Sequence, residues 1–130
     1  MMEKLTVLYI DDEEINLRMF KNTFRRDFFI LIASSAKEGL SILEKELVDI
    51  LITDQRMPEM TGVGLLRVVA EKFPHIRPVR MIISGYTADQ DIEDAFKYYK
   101  LFRFVPKPWD ESFLKNIILE ASTLLESSYE

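Results

Sequence analysis

LTVLYIDDEE, residues 5–14, decides how the rest of the chain is read. Residues 5–10 are apolar or β-favouring throughout, and the run stops at two acids, Asp11 and Asp12. A short run with no polar face suits a strand covered on both sides, as in a parallel sheet. The next stretch changes period. Residues 13–26 carry Leu17, Phe20 and Phe24 at i, i+3 and i+7, which predicts an amphipathic helix.

Working outward, the same alternation recurs. Residues 28–33 (FFILIA) predict a second strand. Ser35 is then placed to cap a helix, with Glu38 completing a capping box and Ala36, Leu40, Leu43 and Leu47 along one face. Residues 48–53 (VDILIT) predict a third strand, which stops at Asp54. Pro58 and Gly62 break the following loop. A helix over 62–73 turns Leu65, Leu66, Val69 and Phe73 inward, and Pro74 ends it. Residues 79–84 (VRMIIS) predict strand four. A helix over 88–99 groups Ile92, Ala95, Phe96 and Tyr99 on one side. Residues 101–105 predict strand five. Asp110 caps a last helix with Leu114, Ile117, Ile118, Ala121 and Leu125 inward. The Met residues and the Phe stripe read as core packing, and His75 as a surface residue.

Strand–helix alternation implies βαβ units, a parallel sheet and helices on both faces. At 130 residues the chain suits one domain, as an open doubly wound sheet rather than an eight-fold barrel. In such sheets the site lies outside the carboxyl ends of the strands. Asp11, Asp12, Asp54, Ser84 and Lys107 all fall at such ends. Each alone reads as a cap, a turn or a solvated charge, and their convergence on one rim is what suggests a site.

Composition limits the chemistry of that rim. No Cys excludes disulfides, thiolate zinc sites and a Cys nucleophile, and a single His argues against a His-based metal site or triad. A net charge of −5 and a pI near 5.0 argue against binding a nucleic-acid backbone. No apolar run approaches the ~18 residues of a membrane span, and no signal peptide is evident, so the expectation is a cytoplasmic protein. Two carboxylates ~4 Å apart repel by about 4 kcal/mol at an effective dielectric near 20. Three of them with no His or Cys predict a hard cation, Mg²⁺ or Mn²⁺. A carboxylate beside that cation, an ammonium and a hydroxyl is equipped to attack phosphorus.

With these residues in view, the chain resembles the receiver domain of bacterial two-component response regulators. The resemblance runs from LTVLYIDDEE through VDILITDQRMPEMTG and MIISGY to FRFVPKPWD, with the motifs in order. It implies a flavodoxin-like sheet of strand order 2-1-3-4-5 and one receiver domain over 1–130, with a core of about 4–126 and no output domain in this chain. It implies Asp54 as phosphoacceptor, Asp12 as a direct Mg²⁺ ligand, Asp11 as a ligand mainly through water, and the Arg56 carbonyl as a further ligand. Lys107 would contact the phosphoryl group through a chain whose Lys107–Pro108 bond is cis. Ser84 and Phe104 stand at the switch positions.

The implied partners are a sensor histidine kinase or histidine phosphotransfer protein, and an output domain or downstream protein. Dimerisation through the helix four, strand five, helix five face on phosphorylation fits the same picture. Long side chains at Arg56 and Tyr86 would hinder water and lengthen the life of the phosphate. Turnover of external substrates is not expected, because Arg56 stands where aspartyl-phosphate phosphatases carry a second Asp. A flavin or nucleotide binder would need a phosphate-cradling loop where this chain has the acidic, Gly-free IDDEEIN. The main alternative is a receiver-like interaction module that works without phosphorylation, against which stands the intact set Asp12, Asp54, Ser84 and Lys107.

Overall fold

The computed structural model describes residues 4–75, 77–85 and 90–127. The chain alternates β1 (Thr6–Ile10), α1 (Glu14–Phe24), β2 (Phe29–Ala33), α2 (Ala36–Lys45), β3 (Ile50–Thr53), α3 (Gly62–Lys72), β4 (Val79–Ser84), α4 (Gln90–Tyr98), β5 (Leu101–Pro106) and α5 (Glu111–Ser127). All strand pairings are parallel, and the five strands lie in the order β2-β1-β3-β4-β5. This is the expected fold. The expected start of α4 at residue 88 lies outside the described residues.

The period-two alternation of each central strand divides the core in two. Val7, Tyr9, Ile50, Ile52, Met81 and Ile83 face one side, where Phe20 and Phe24 of α1 and Leu114, Ile118 and Ala121 of α5 cover them. Leu8, Ile10, Leu51 and Ile82 face the other, under Leu43 of α2, Leu65, Leu66 and Val69 of α3, and Ile92 and Ala95 of α4. β1, β3 and β4 are therefore buried on both faces, which is why their sequences read as unbroken apolar runs.

Helix ends follow local chemistry. The Ser35 hydroxyl accepts from the Glu38 N–H at 3.1 Å, as expected. The Glu38 carboxylate reaches the Ser34 N–H at 2.7 Å, one residue short of the standard reciprocal bond. Asp110 caps α5 by accepting from the Phe113 N–H at 2.8 Å.

Some expected core residues lie elsewhere. α2 ends at Lys45, so Leu47 falls beyond its apolar face and is 72% exposed. Phe96 points away from Ile92 and Ala95 and is exposed, as are Met19, Phe29 and Phe113. A residue at i+4 from one core position and i+1 from another sits at the edge of the stripe, where a degree of helix rotation decides burial.

Arg80 is the reverse case. It lies in the middle of an apolar strand and is fully buried. Its guanidinium donates to the carbonyls of Phe73 (2.7 Å), His75 (3.1 Å) and Tyr99 (3.3 Å). Phe73 caps the C-terminal end of α3, and Tyr99 directly follows α4. Two helix ends that would otherwise carry orphan carbonyls thus share one cation, which also meets their negative dipole ends. β4 and β5 slip register at Arg80/Met81, where this side chain leaves the sheet.

Candidate functional site

Asp11, Asp54 and Lys107 meet at the carboxyl edge of the sheet, and Asp12 stands at its mouth. Asp11 follows β1 and is fully buried, whereas Asp12 is exposed. Asp54 follows β3 and is 6% exposed. Its backbone N–H extends the sheet to the Ile10 carbonyl at 2.9 Å, which fixes the residue beside Asp11. One carboxylate oxygen from each of Asp11, Asp12 and Asp54 falls within 4.8 Å of the others. The three acids expected to converge do so.

Lys107 is placed by two independent anchors. Its N–H donates to the Ser84 carbonyl at 2.9 Å, tying it to the end of β4. Two residues on, Trp109 packs against Phe24 and Phe20 of α1, at centroid distances of 5.5 and 6.2 Å. The Lys107–Pro108 bond between these anchors is cis. The ammonium lies 3.0 Å from Asp11 Oδ2 and 3.5 Å from Asp54 Oδ2, so it rests nearer Asp11.

Electrostatics follow from this crowding. Burial pushes the Asp54 carboxyl above its ordinary range; Lys107 pulls it down, Asp11 pushes it up, and the Gln55 N–H and Ser84 hydroxyl lower it further without cancelling the burial. Burial alone would lower Lys107, but its contacts with Asp11 and Asp54 outweigh that and hold the ammonium charged. Ser84, at the end of β4, is buried and bonded to the Asp54 carboxylate.

Several contributors were not anticipated from sequence. The Tyr9 hydroxyl donates to Asp11 Oδ2 at 2.7 Å, and the Asn16 amide donates to the same oxygen at 3.2 Å. The Glu13 N–H occupies Asp11 Oδ1 at 2.9 Å. Gln55 is buried behind Asp54; its N–H donates to Asp54 Oδ1 at 2.8 Å and its side-chain oxygen accepts the Val63 N–H at the start of α3. Gly62 closes this loop by donating to the Gln55 carbonyl at 2.9 Å. A Cβ there would lie 2.4 Å from the Asp54 carbonyl, so only glycine lets the loop pass this close.

Phe104 is half-buried on β5, packed against the cluster formed with α2, α3 and α4. Arg56 is exposed in the turn after Asp54. Tyr86 lies outside the described residues. Beside the acids, Tyr9, Asn16, Met19, Lys107, Pro108 and Trp109 line an open groove of about 330 Å³.

The donor set fits a hard divalent cation. The three side-chain candidates all offer carboxylate oxygens, and Lys107 places a positive charge against two of them, Asp11 and Asp54. Oδ2 of Asp11 already accepts three bonds and Oδ1 one, so this carboxylate is poorly placed for direct ligation and better placed to hold a water. Asp12 and Asp54 are the more open ligands. No described helix is long and apolar enough to cross a membrane.

Comparison with known proteins gives a consistent result. Residues 7–119 match the family model of the response regulator receiver domain. The hydrogenase transcriptional regulatory protein HoxA of Bradyrhizobium diazoefficiens is 36% identical over 119 residues, covering 92% of this chain and 24% of that protein. The chain therefore spans about a quarter of that relative's length. The chemotaxis protein CheY of Pseudomonas aeruginosa is 34% identical, covering 88% of this chain and 93% of that one. Among solved structures, the signal receiver domain of an HD domain-containing protein from Pseudomonas fluorescens Pf-5 superimposes with a TM-score of 0.89 at 23% identity, covering 96% and 99% of the two chains.

Proposed function

The chain belongs to the response regulator receiver domain family, and from that premise we propose that it is a switch worked by phosphorylation of Asp54. The observation that carries this reading is the convergence of Asp11, Asp12, Asp54, Ser84 and Lys107 on one edge, with Asp54 bonded to both Ser84 and Lys107. Asp12 and Asp54 would hold Mg²⁺ directly, with the Arg56 carbonyl, and Asp11 through water. When bound, that ion neutralises charge on the transferring oxygens.

In the transfer, a carboxylate oxygen of Asp54 forms the new bond to phosphorus. The bond from phosphorus to the imidazole nitrogen of a partner's phosphohistidine breaks, and the nitrogen keeps the electron pair. A sensor histidine kinase or phosphotransfer protein is the partner that suits this chemistry, because the chain has one histidine, His75, which follows α3 and whose carbonyl accepts from Arg80. Lys107 need shift only from Asp11 toward Asp54 to meet the arriving charge. The Ser84 hydroxyl, now accepted by the carboxylate, has a phosphoryl oxygen to donate to instead. Phe104, half-buried beside α4, is the side chain that answers, turning inward and altering the surface of α4, β5 and α5. An output domain or separate protein reads that surface, and phosphorylated copies are suited to pair through it. The work takes place in the cytoplasm, without direct contact to nucleic acid and without turnover of external substrates.

Incubation with Mg²⁺ and acetyl phosphate tests this. The expected result is a mass gain of one phosphoryl group, absent when EDTA replaces Mg²⁺. No gain with any donor would leave the phosphorylation-independent interaction module as the better reading. Steady phosphate release from varied esters would instead indicate a phosphatase.

The lifetime of the adduct gives a further check. Arg56→Ala combined with Tyr86→Ala is expected to speed dephosphorylation several-fold by opening the path of water. An unchanged half-life refutes the shielding role.

A further inference from the structure

We infer that the Tyr9 hydroxyl holds down the Mg²⁺ affinity of the site by drawing off part of the charge on Asp11. This rests on the reading of the site as a Mg²⁺-dependent phosphoacceptor.

Tyr9 lies in β1, two residues before Asp11, so the two side chains leave the strand on the same face. The ring is 1% exposed and stacks on Phe20 at a centroid distance of 4.4 Å, which leaves the hydroxyl little freedom of direction. That hydroxyl meets Asp11 Oδ2 at 2.7 Å, the shortest of the three bonds to this oxygen. A hydrogen bond from a neutral hydroxyl to a buried carboxylate is charge-assisted, and it draws electron density from the acceptor.

Two effects compete when such a donor is removed. Loss of an outer hydrogen bond disorders a ligand and lowers metal affinity. Loss of a donor also leaves the carboxylate more negative and raises its attraction for a cation. Orientation of Asp11 does not depend on Tyr9, because the Glu13 N–H, the Asn16 amide and Lys107 all remain. The charge effect therefore decides the sign. Lys107 feels the same increase, but a divalent ion carries twice its charge.

Tyr9→Phe keeps the ring and its stacking and deletes the hydroxyl alone. Asn16→Ala removes the second neutral donor from a half-buried position on α1, where alanine favours the helix. Mg²⁺ binding is measured by calorimetry on the unphosphorylated protein, with thermal unfolding run beside it. The expected result is tighter Mg²⁺ binding by Tyr9→Phe, roughly 3- to 10-fold, as for ~1 kcal/mol of a charge-assisted bond. Asn16→Ala shifts in the same direction by less. Without Mg²⁺, Tyr9→Phe unfolds at a lower temperature than the wild type, and saturating Mg²⁺ narrows the gap.

Mg²⁺ binding that is unchanged or weaker in Tyr9→Phe overturns the inference, whatever Asn16→Ala does. Failure of the wild type to bind Mg²⁺ at all would instead overturn the reading of the site on which the inference rests.

Discussion

Asp54→Asn abolishes phosphoryl transfer completely and, with divalent ions removed, unfolds at a higher temperature than the wild type at neutral pH. The first effect follows from chemistry, since an amide nitrogen or oxygen does not form a stable acyl phosphate. The second follows from burial. In the folded state the Asp54 carboxyl holds its proton above the ordinary value of 3.8. The folded protein thus binds more protons than the unfolded chain between those two values, and stability falls as pH rises through the folded one. At neutral pH the ionised Asp54 is a net cost, which asparagine of the same shape lacks. Lys107 keeps Asp11 as its partner at 3.0 Å, so the substitution strands no cation. Melting curves in EDTA from pH 4 to 8 check this. The two proteins should coincide at the acid end and separate as pH rises. A variant no more stable than the wild type at every pH would contradict the electrostatic account.

Arg80→Met is expected to be the most destabilising single change outside the site, by about 3 kcal/mol, or a melting point lower by roughly 10 °C. Replacing a buried ion pair with apolar groups is often neutral, because both partners go together. Here only the cation goes. The carbonyls of Phe73, His75 and Tyr99 stay behind, part-buried and without this donor. Arg80→Lys keeps the charge but not the fork that reaches three oxygens, and should lose about a third as much. Chemical denaturation of both variants reads the difference directly. Equal stability of Arg80→Met and wild type would show that water replaces the guanidinium without loss.

The fold was legible because each central strand is covered on both faces. Apolar runs such as residues 48–53 and 79–84 then stop where the sheet stops, and the next polar residue lies at the rim. Asp54 and Ser84 were found in this way. The elements set by bonding to the backbone were less legible. Arg80 interrupts an apolar strand, and its partners are carbonyls, which every residue carries and no sequence pattern marks. Gln55 reads as an ordinary turn residue until its side chain is seen to cap α3 at Val63. Tyr9 was hidden for a different reason. An aromatic ring in a buried strand is explained by packing alone, so its hydroxyl raised no question. The signal is nonetheless present, since Asp11 continues the line of β1 and so shares a face with Tyr9. Helical spacing alone puts Leu47 and Phe96 inside, but Leu47 lies past the end of α2 and Phe96 at the margin of an apolar stripe, where spacing does not determine burial.

The position of the phosphoryl group is the most direct test of the account. After incubation with Mg²⁺ and acetyl phosphate, borohydride reduction converts an aspartyl phosphate to homoserine, and peptide mass mapping locates it. Conversion is expected at residue 54 alone, dependent on Mg²⁺. Conversion at Asp11 or Asp12, or none at any residue, would contradict it.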